Sequence, residues 1–228
     1  MNYIFDGIKE ALYLLISFDR EIYTVILLSI FVSGLSTIIS SILGVILGVV
    51  SGLNKFPFRN VYEKVLYSFM GLPPVVVGLL IGISISRRGP LGKYGLMFTV
   101  TAMVIAQSVL ILPIITGIVY NQVKIDGKII KETCRTLGGK RSDVFMLILH
   151  EMRTTILVAI TTGFGRAISE VGAVMIVGGN IKGFTRVMTT YIAMNNSMGN
   201  YAKSIAMGIV LIAISLTVNS VIHRVMED

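Results

Sequence analysis

The chain has 228 residues, of which 54% are hydrophobic and only 14% charged, and its mean hydropathy is +0.83. This composition excludes an ordinary soluble domain and predicts an all-α integral membrane protein. The net charge of +8 does not indicate nucleic-acid binding, because the basic residues lie in short segments between apolar runs. No Pro/Ser-rich or charge-rich linker divides the sequence, so we expect one transmembrane domain over residues 1–228.

The N-terminal segment, residues 1–20, has an apolar face that includes Ile8, Leu12 and Ile16. Charged residues bracket this face and leave too short a run to cross a bilayer: Asp6, Lys9, Glu10 and Asp19. We therefore favour an amphipathic helix at the membrane interface over a sixth span.

Five further segments are apolar enough, and long enough at about 20 residues, to form transmembrane helices. In chain order they cover residues 22–54, 65–86, 94–123, 154–181 and 204–222. In the first, Gly44, Gly48 and Gly52 recur every four residues, which predicts close packing of that face against a neighbouring helix.

Prolines interrupt two of these spans, at Pro73-Pro74 in the second and at Pro113 in the third. A proline removes a backbone donor and bends a helix, so a neighbour or water must satisfy the freed carbonyl. Two interpretations of Pro73-Pro74 remain open, a gate in a transport path and an ordinary membrane kink.

The fourth span contains two charges, Arg166 and Glu170. On one continuous helix their spacing would place both side chains on the same face. A charge at the bilayer centre costs about 2.5–3.5 kcal/mol, so the pair should face a bundle interior or an aqueous cavity. Either the two charges neutralise each other and fix helix packing, or they line a substrate path. In the second case Arg166 would attract an anion, Glu170 would prevent tight trapping, and Ser169 would keep the face narrow.

The orientation follows from the distribution of basic residues on the two sides of the five spans. Segments 54–64 and 124–153 and the C-terminus carry eleven Lys and Arg, against eight on the opposite side. The positive-inside rule therefore predicts that segment 124–153 and the C-terminus are cytoplasmic and that the N-terminus is outside.

A polar stretch lies within segment 124–153. Residues 126–138 predict a short amphipathic helix that ends in a left-handed conformation at Gly138-Gly139. The single cysteine, Cys134, is interpreted as a small loop residue. The pattern is consistent with a helix lying flat on the membrane surface or docking into the groove of a partner.

A resemblance decides between these two roles. Glu132-Thr133-Cys134, followed after three residues by Gly138 and after nine more by Ile148, resembles the EAA loop of bacterial and archaeal ABC importer permeases. Other stretches resemble the molybdate/tungstate branch of these permeases: residues 72–78, 87–89, 166–173, 179–181 and 185–186. The likeness covers the chain from about residue 20 to its C-terminus and implies a type I importer (MetI-like) bundle with five transmembrane helices.

The same resemblance assigns roles to individual residues. It implies that the coupling loop contacts an ATPase subunit through Glu132, Thr133, Cys134, Arg135, Leu137 and Gly138. From the kinks and intramembrane charges described above, we place the translocation pathway or gate at Pro73, Pro74, Arg166, Ser169 and Glu170. The implied partners are a second copy of the chain, two ATPase subunits that bind ATP and Mg, and an extracytoplasmic oxyanion-binding protein. The implied substrate is tungstate, with molybdate or another tetrahedral oxyanion as the alternative.

Two departures from the family pattern lie in or beside the loop. Thr133-Cys134 replaces a pair of alanines, which keeps the side chains small. His150-Glu151 stands where Leu-Pro is usual, so we expect the entry to the fourth span to lack the usual kink.

The sequence predicts no catalytic role and no cofactor for the chain itself. Gly139-Lys140 is followed by Arg141 rather than Ser or Thr, so no P-loop is present to bind ATP. His150 and His223 lie in no metal-ligand motif. An ion-coupled carrier or channel, and a scaffold subunit without transport activity, remain as alternative classes.

Overall fold

The computed structural model describes residues 2–16 and 20–227, and every regular element in this part of the chain is helical. The helices are α1 (Asn2–Ile16), α2 (Arg20–Leu53), α3 (Arg59–Met70), α4 (Pro74–Ile85), a 3-10 turn (Gly92–Tyr94), α5 (Val100–Thr136), α6 (Arg141–Glu151), α7 (Arg153–Ile168), α8 (Gly172–Gly178), α9 (Met188–Ser197) and α10 (Tyr201–Glu227).

The predicted spans differ in continuity. Three helices, α2, α5 and α10, are each long and apolar enough to cross a membrane. The other two spans are bent pairs, α3 with α4 at 97° and α6 with α7 at 68°. The interruption predicted at Pro73-Pro74 is confirmed, because α3 ends at Met70 and α4 begins at Pro74. The interruption predicted at Pro113 is wrong, because α5 continues through this residue. The fourth span begins and ends earlier than the predicted range 154–181, since α6 begins at Arg141 and α7 already ends at Ile168.

The glycines of α2 form its contact with α5, as predicted. A Cβ on Gly48 would lie 2.8 Å from Cβ of Val119, and one on Gly52 would lie 2.8 Å from Cβ of Val123. Any larger residue would therefore push the two helices apart. Ser40 extends the contact by donating a hydrogen bond to the carbonyl oxygen of α5 residue Ser108 at 3.0 Å.

Charged clusters mark the two ends of α2, which at 34 residues is about 51 Å long. At its start, Glu21 pairs with Lys182 and Arg186, the latter at 3.1 Å. Near its end, Glu63 pairs with Lys124 at 2.8 Å. The structure thus separates the basic segments into the two groups expected from the sequence.

Helix α1 packs against α10, and Gly7 lies so close to Ile205 that no Cβ would fit between them. With 15 residues it is about 22 Å long, shorter than a hydrocarbon core of about 30 Å. The predicted N-terminal helix is present, while its placement at the interface stays a prediction. Asp19, one of the residues bounding its predicted apolar face, lies outside the described residues.

Candidate functional site

The predicted coupling residues lie at the end of a transmembrane helix. Helix α5 runs without a break from Val100 to Thr136, 37 residues, so the separate short helix predicted over residues 126–138 is wrong. No helix-breaking residue separates the two parts, and Gly127 packs where a Cβ would lie 3.2 Å from Cδ2 of Leu53. A displacement of the last turns of α5 is therefore passed directly to the part of α5 within the membrane.

A tight turn ends α5. Gly138 has φ of +84°, and the N–H of Gly139 donates a hydrogen bond to the carbonyl oxygen of Cys134 at 2.9 Å. This confirms the left-handed end that we predicted, at Gly138. The turn brings the chain directly into α6.

Cys134 belongs to the core, so its interpretation as a loop residue is wrong. Its side chain is buried in a cluster that contains Val123, Val144 and Ile148. The reason is tertiary, because α6 folds back and covers this face of α5. The opposite side of the segment is open: Glu132, Thr133 and Arg135 are exposed, and Leu137 is 84% exposed.

The entry to the fourth span is bent at Met152, although we expected no kink there. The bend keeps the backbone hydrogen bonds on both sides, from Met152 N–H to Ile148 O and from Ile156 N–H to Met152 O, each 2.9 Å. Met152 is buried in the same cluster as Ile148, so apolar burial stabilises the bend without a proline.

The start of α4, after the break in the second span, packs against the start of α8, after the end of α7. A Cβ on Gly78 of α4 would lie 2.6 Å from Cα of Ala173 in α8, and one on Gly172 would lie 2.7 Å from Cγ2 of Val75. Both α4 and α8 begin at this junction, immediately after Pro73 and Val171. The structure therefore brings the segments that follow the predicted gate residues Pro73 and Glu170 into contact, although they are almost 100 positions apart in the sequence.

Arg166 and Glu170 do not form the predicted pair on one helical face. Because α7 ends at Ile168, Glu170 lies in the connection to α8, where it is buried. Its Oε1 accepts a hydrogen bond from the N–H of Ala173 at 3.1 Å, and its backbone oxygen accepts one from the Thr189 hydroxyl at 2.8 Å. The carboxylate thus satisfies a donor in the first turn of α8, where negative charge is favourable.

Arg166 is exposed, and among the described residues it makes no ion pair with Glu170. Ser169 is exposed beside it and donates to the carbonyl oxygen of Gly165 at 2.8 Å. Mutual neutralisation of the two charges is therefore wrong. Within a membrane, the exposed Arg166 side chain must contact either another protein or water.

Gln107 of α5 belongs to the same region and was missed in the sequence. It is buried, and its Nε2 donates to the carbonyl oxygen of Ala167 at 2.9 Å, at the end of α7. The signal was available, because an amide in the charge-free run 94–123 needs a partner in the membrane.

The loop after α8 contains two further stretches of the family resemblance. Gly179 and Asn180 adopt left-handed conformations, and the Thr185 hydroxyl accepts a hydrogen bond from Ile181 N–H at 3.0 Å. Arg186 then donates to Glu21 Oε1 at 3.1 Å, which attaches the loop to the start of α2. These residues fix the junction from its other side.

A polar network, here called the Glu63 cluster, joins α3 to α5 near the coupling segment. It consists of Arg59, Glu63, Tyr120 and Lys124. Arg59 Nε donates to the Tyr120 hydroxyl at 2.8 Å, and this hydroxyl and Lys124 Nζ both donate to Glu63 Oε1, Lys124 at 2.8 Å. The first half of the broken second span is thus tied to the helix that carries the coupling residues.

Comparison with known proteins identifies the family of this chain. Residues 44–226 match the model of the binding-protein-dependent transport system inner membrane component. The chain belongs to this family. It is accordingly a multi-pass permease component of the inner membrane, as the apolar helices require.

Several curated permeases are similar to this one. The tungstate uptake system permease protein TupB of Peptoclostridium acidaminophilum is 48% identical over 228 residues, the whole of both chains. TupB of Campylobacter jejuni is 35% identical over 98% of this chain and 94% of its own. A probable anion ABC transporter permease of Haloferax volcanii is 38% identical over 74% of this chain and 75% of its own.

Proposed function

We propose that this permease imports a tetrahedral oxyanion, tungstate, across the cytoplasmic membrane of a prokaryote, driven by a separate ATPase. The observation that carries the proposal is the 48% identity, over the full length of both chains, to a tungstate uptake permease. The junction of the broken helices is the part of the structure best suited to this task.

The junction suits an anion for two reasons. The N-terminus of a helix carries partial positive charge, and α4 begins at the junction directly after Pro73. Arg166, in the last turn of α7, adds a full positive charge and is exposed, as is Ser169. Glu170 is turned away into the packing of α8, where it positions the junction rather than repelling the substrate.

We expect a second copy of the chain to pack against the face of α7 that carries Arg166. A cation facing hydrocarbon is costly, so the exposed face of α7 should meet protein or water. Two copies related by a two-fold axis would place the two Arg166 side chains along one aqueous path between them. The same arrangement would present two coupling segments, one for each of two ATPase subunits.

The free energy of ATP hydrolysis would reach the permease through exposed residues at the end of α5, here called the coupling surface. Glu132, Thr133, Arg135 and Leu137 are exposed there and would dock an ATPase subunit that binds ATP and Mg. The permease itself has no catalytic role, and an extracytoplasmic binding protein would select and deliver the anion. Because α5 is continuous and is joined to α3 by the Glu63 cluster, closure of the ATPases would move the junction of broken helices.

The test is transport in proteoliposomes that contain the permease, its ATPase and its binding protein. We expect tungstate uptake that requires ATP hydrolysis and is unaffected when ion gradients are collapsed. The substitution Arg166→Ala should lower the rate of uptake at least about tenfold, which corresponds to a rise of about 1.4 kcal/mol in the activation free energy of transport. The ATPase should stay bound to this variant. Lys203→Ala removes an exposed cation from α10 and serves as the matched control. Uptake driven by an ion gradient without ATP would reject the proposal in favour of a secondary carrier.

A further inference from the structure

A cavity of about 800 Å³ opens between the end of α2, the start of α3 and the coupling part of α5. Its lining has one acidic side chain, Glu132, against six basic ones: Lys55, Arg59, Lys124, Lys128, Lys131 and Arg135. A smaller cavity of about 330 Å³ lies beside it and shares Lys131 and Arg135. The transport mechanism proposed above uses Arg59 and Lys124 in the Glu63 cluster and Arg135 in the coupling surface, but it gives no role to Lys55, Lys128 and Lys131.

Only some of these cations are neutralised by the protein. Glu63 pairs with Arg59 and Lys124, and Glu132 lies 3.8 Å from Lys128. Lys55, Lys131 and Arg135 make no ion pair among the described residues. The cavity therefore retains an excess of positive charge that an anionic ligand can satisfy.

The level of the cavity in the membrane indicates the chemical class of its anionic ligand. Its apolar wall is formed by Gly52, Leu53 and Val123, which are among the last residues of the apolar runs 22–54 and 94–123. Val50, which lines the smaller cavity, is 48% exposed. The cavity thus straddles the level at which hydrocarbon gives way to lipid headgroups.

We propose that this cavity binds the phosphate of an anionic phospholipid headgroup. Lysine and arginine form charge-assisted hydrogen bonds to phosphate oxygens, and basic pockets at the cytoplasmic ends of transmembrane helices suit such headgroups. Leu53 and the 48% exposed Val50, which line the adjoining smaller cavity, offer apolar surface to the glycerol and first methylenes of the lipid, which a free inorganic oxyanion lacks. Of the coupling side chains, Glu132 and Arg135 line the cavity, while Thr133 and the most exposed one, Leu137, do not. An ATPase subunit that docks on Thr133 and Leu137 therefore leaves room for the lipid in the cavity.

Occupancy would join the end of α2 to the coupling segment. The lipid phosphate would bridge Lys55 on one side and Lys128 and Lys131 on the other. The position of the coupling segment would then depend on the anionic lipid of the inner leaflet.

The experiment measures binding to the full-length permease purified with its ATPase. Short-chain phosphatidylglycerol, short-chain phosphatidylcholine, inorganic phosphate and tungstate are titrated separately, and the rise in Tm gives an apparent affinity. The test variant is the double substitution Lys128→Gln with Lys131→Gln. The control is Lys64→Gln with Arg153→Gln, two exposed basic residues that do not line the cavity.

We expect phosphatidylglycerol to bind and phosphatidylcholine not to bind. The test variant should bind phosphatidylglycerol about 30-fold more weakly, because each of the two removed cations contributes about 1 kcal/mol to the binding free energy. The affinity of the control variant should be unchanged. Equal loss in the control would overturn the site. Stabilisation by inorganic phosphate or tungstate equal to that by phosphatidylglycerol would overturn the lipid assignment in favour of a free oxyanion. Loss of ATPase from the test variant with lipid binding intact would assign the cavity to the ATPase.

Discussion

Glu170 illustrates how one residue acquires a different role once its backbone partners are known. Its spacing from Arg166 suggested an ion pair, yet its carboxylate accepts a hydrogen bond from the N–H of Ala173 and is buried. A side-chain acceptor at the start of a helix is worth about 0.5–2 kcal/mol. The side-chain oxygen therefore matters more for the junction than the charge does.

This interpretation predicts different effects for two substitutions of Glu170. Glu170→Gln keeps an oxygen that can accept from Ala173, so we expect near-normal Tm and tungstate uptake. Glu170→Ala removes the acceptor and should lower stability by about 1–2 kcal/mol and reduce uptake with it. Thermal unfolding in detergent and uptake in vesicles measure both. Equal loss in the two variants would show that the charge itself is required.

Gly138 is the second position at which one residue decides local structure. Its φ of +84° is left-handed, a conformation that costs a residue with a side chain about 1–2 kcal/mol. Gly138→Val should distort the turn and lower tungstate uptake, while ATP hydrolysis continues without being coupled to transport. Gly208→Val is the matched control, since Gly208 lies within α10 and a Cβ there meets no atom within 4 Å. Coupled transport at wild-type rates in Gly138→Val would contradict the role of this turn.

The helices divide into continuous and broken ones, and the two kinds have different tasks. Helix α5 carries predicted coupling residues at its end and packs on α2 through Gly44, Gly48 and Gly52. The broken pair α3 and α4 is joined to α5 at one end by the Glu63 cluster and contacts α8 at the other. This path connects the coupling surface to the junction through bonded and packed elements.

The contact of α4 with α8 can be tested by adding a single methyl group. Gly78→Ala would place a Cβ 2.6 Å from Cα of Ala173, and overpacking of this kind costs about 1–3 kcal/mol. We expect a lower Tm and a loss of uptake. Gly34→Ala on α2 is the control, because its Cβ would meet no atom within 4 Å. Similar Tm values for the two variants would show that the junction is loosely packed.

At the scale of the whole molecule, the exposed face that carries Arg166 and Ser169 calls for a partner. The only cysteine, Cys134, is buried, so an introduced thiol can be cross-linked selectively. This makes the proposed homodimer accessible to a simple chemical test.

Ser169→Cys should cross-link two copies through a short bismaleimide in native membranes, because we place this face at the dimer axis. Ile212→Cys, at a 61% exposed position of α10, is the control for collisions between permeases in the membrane. The readout is a band of twice the monomer mass on a denaturing gel. Monomeric Ser169→Cys in transport-competent membranes would exclude a dimer axis at this face.

The sequence by itself determined the membrane class, the five apolar segments, the glycine face of α2, the break at Pro73-Pro74 and the left-handed turn at Gly138. All of these depend on composition, periodicity or the intrinsic conformational preferences of glycine and proline, which are local properties.

Only the tertiary structure decided the continuity of α5 through its coupling segment, the burial of Cys134, the bend at Met152 and the separation of Glu170 from Arg166. The burial of Cys134 and the position of Glu170 depend on contacts between different helices, such as α6 folding back on α5 or Gly78 meeting Ala173. Local patterns leave such choices open, because the alternatives differ by only a few kcal/mol and packing supplies that difference.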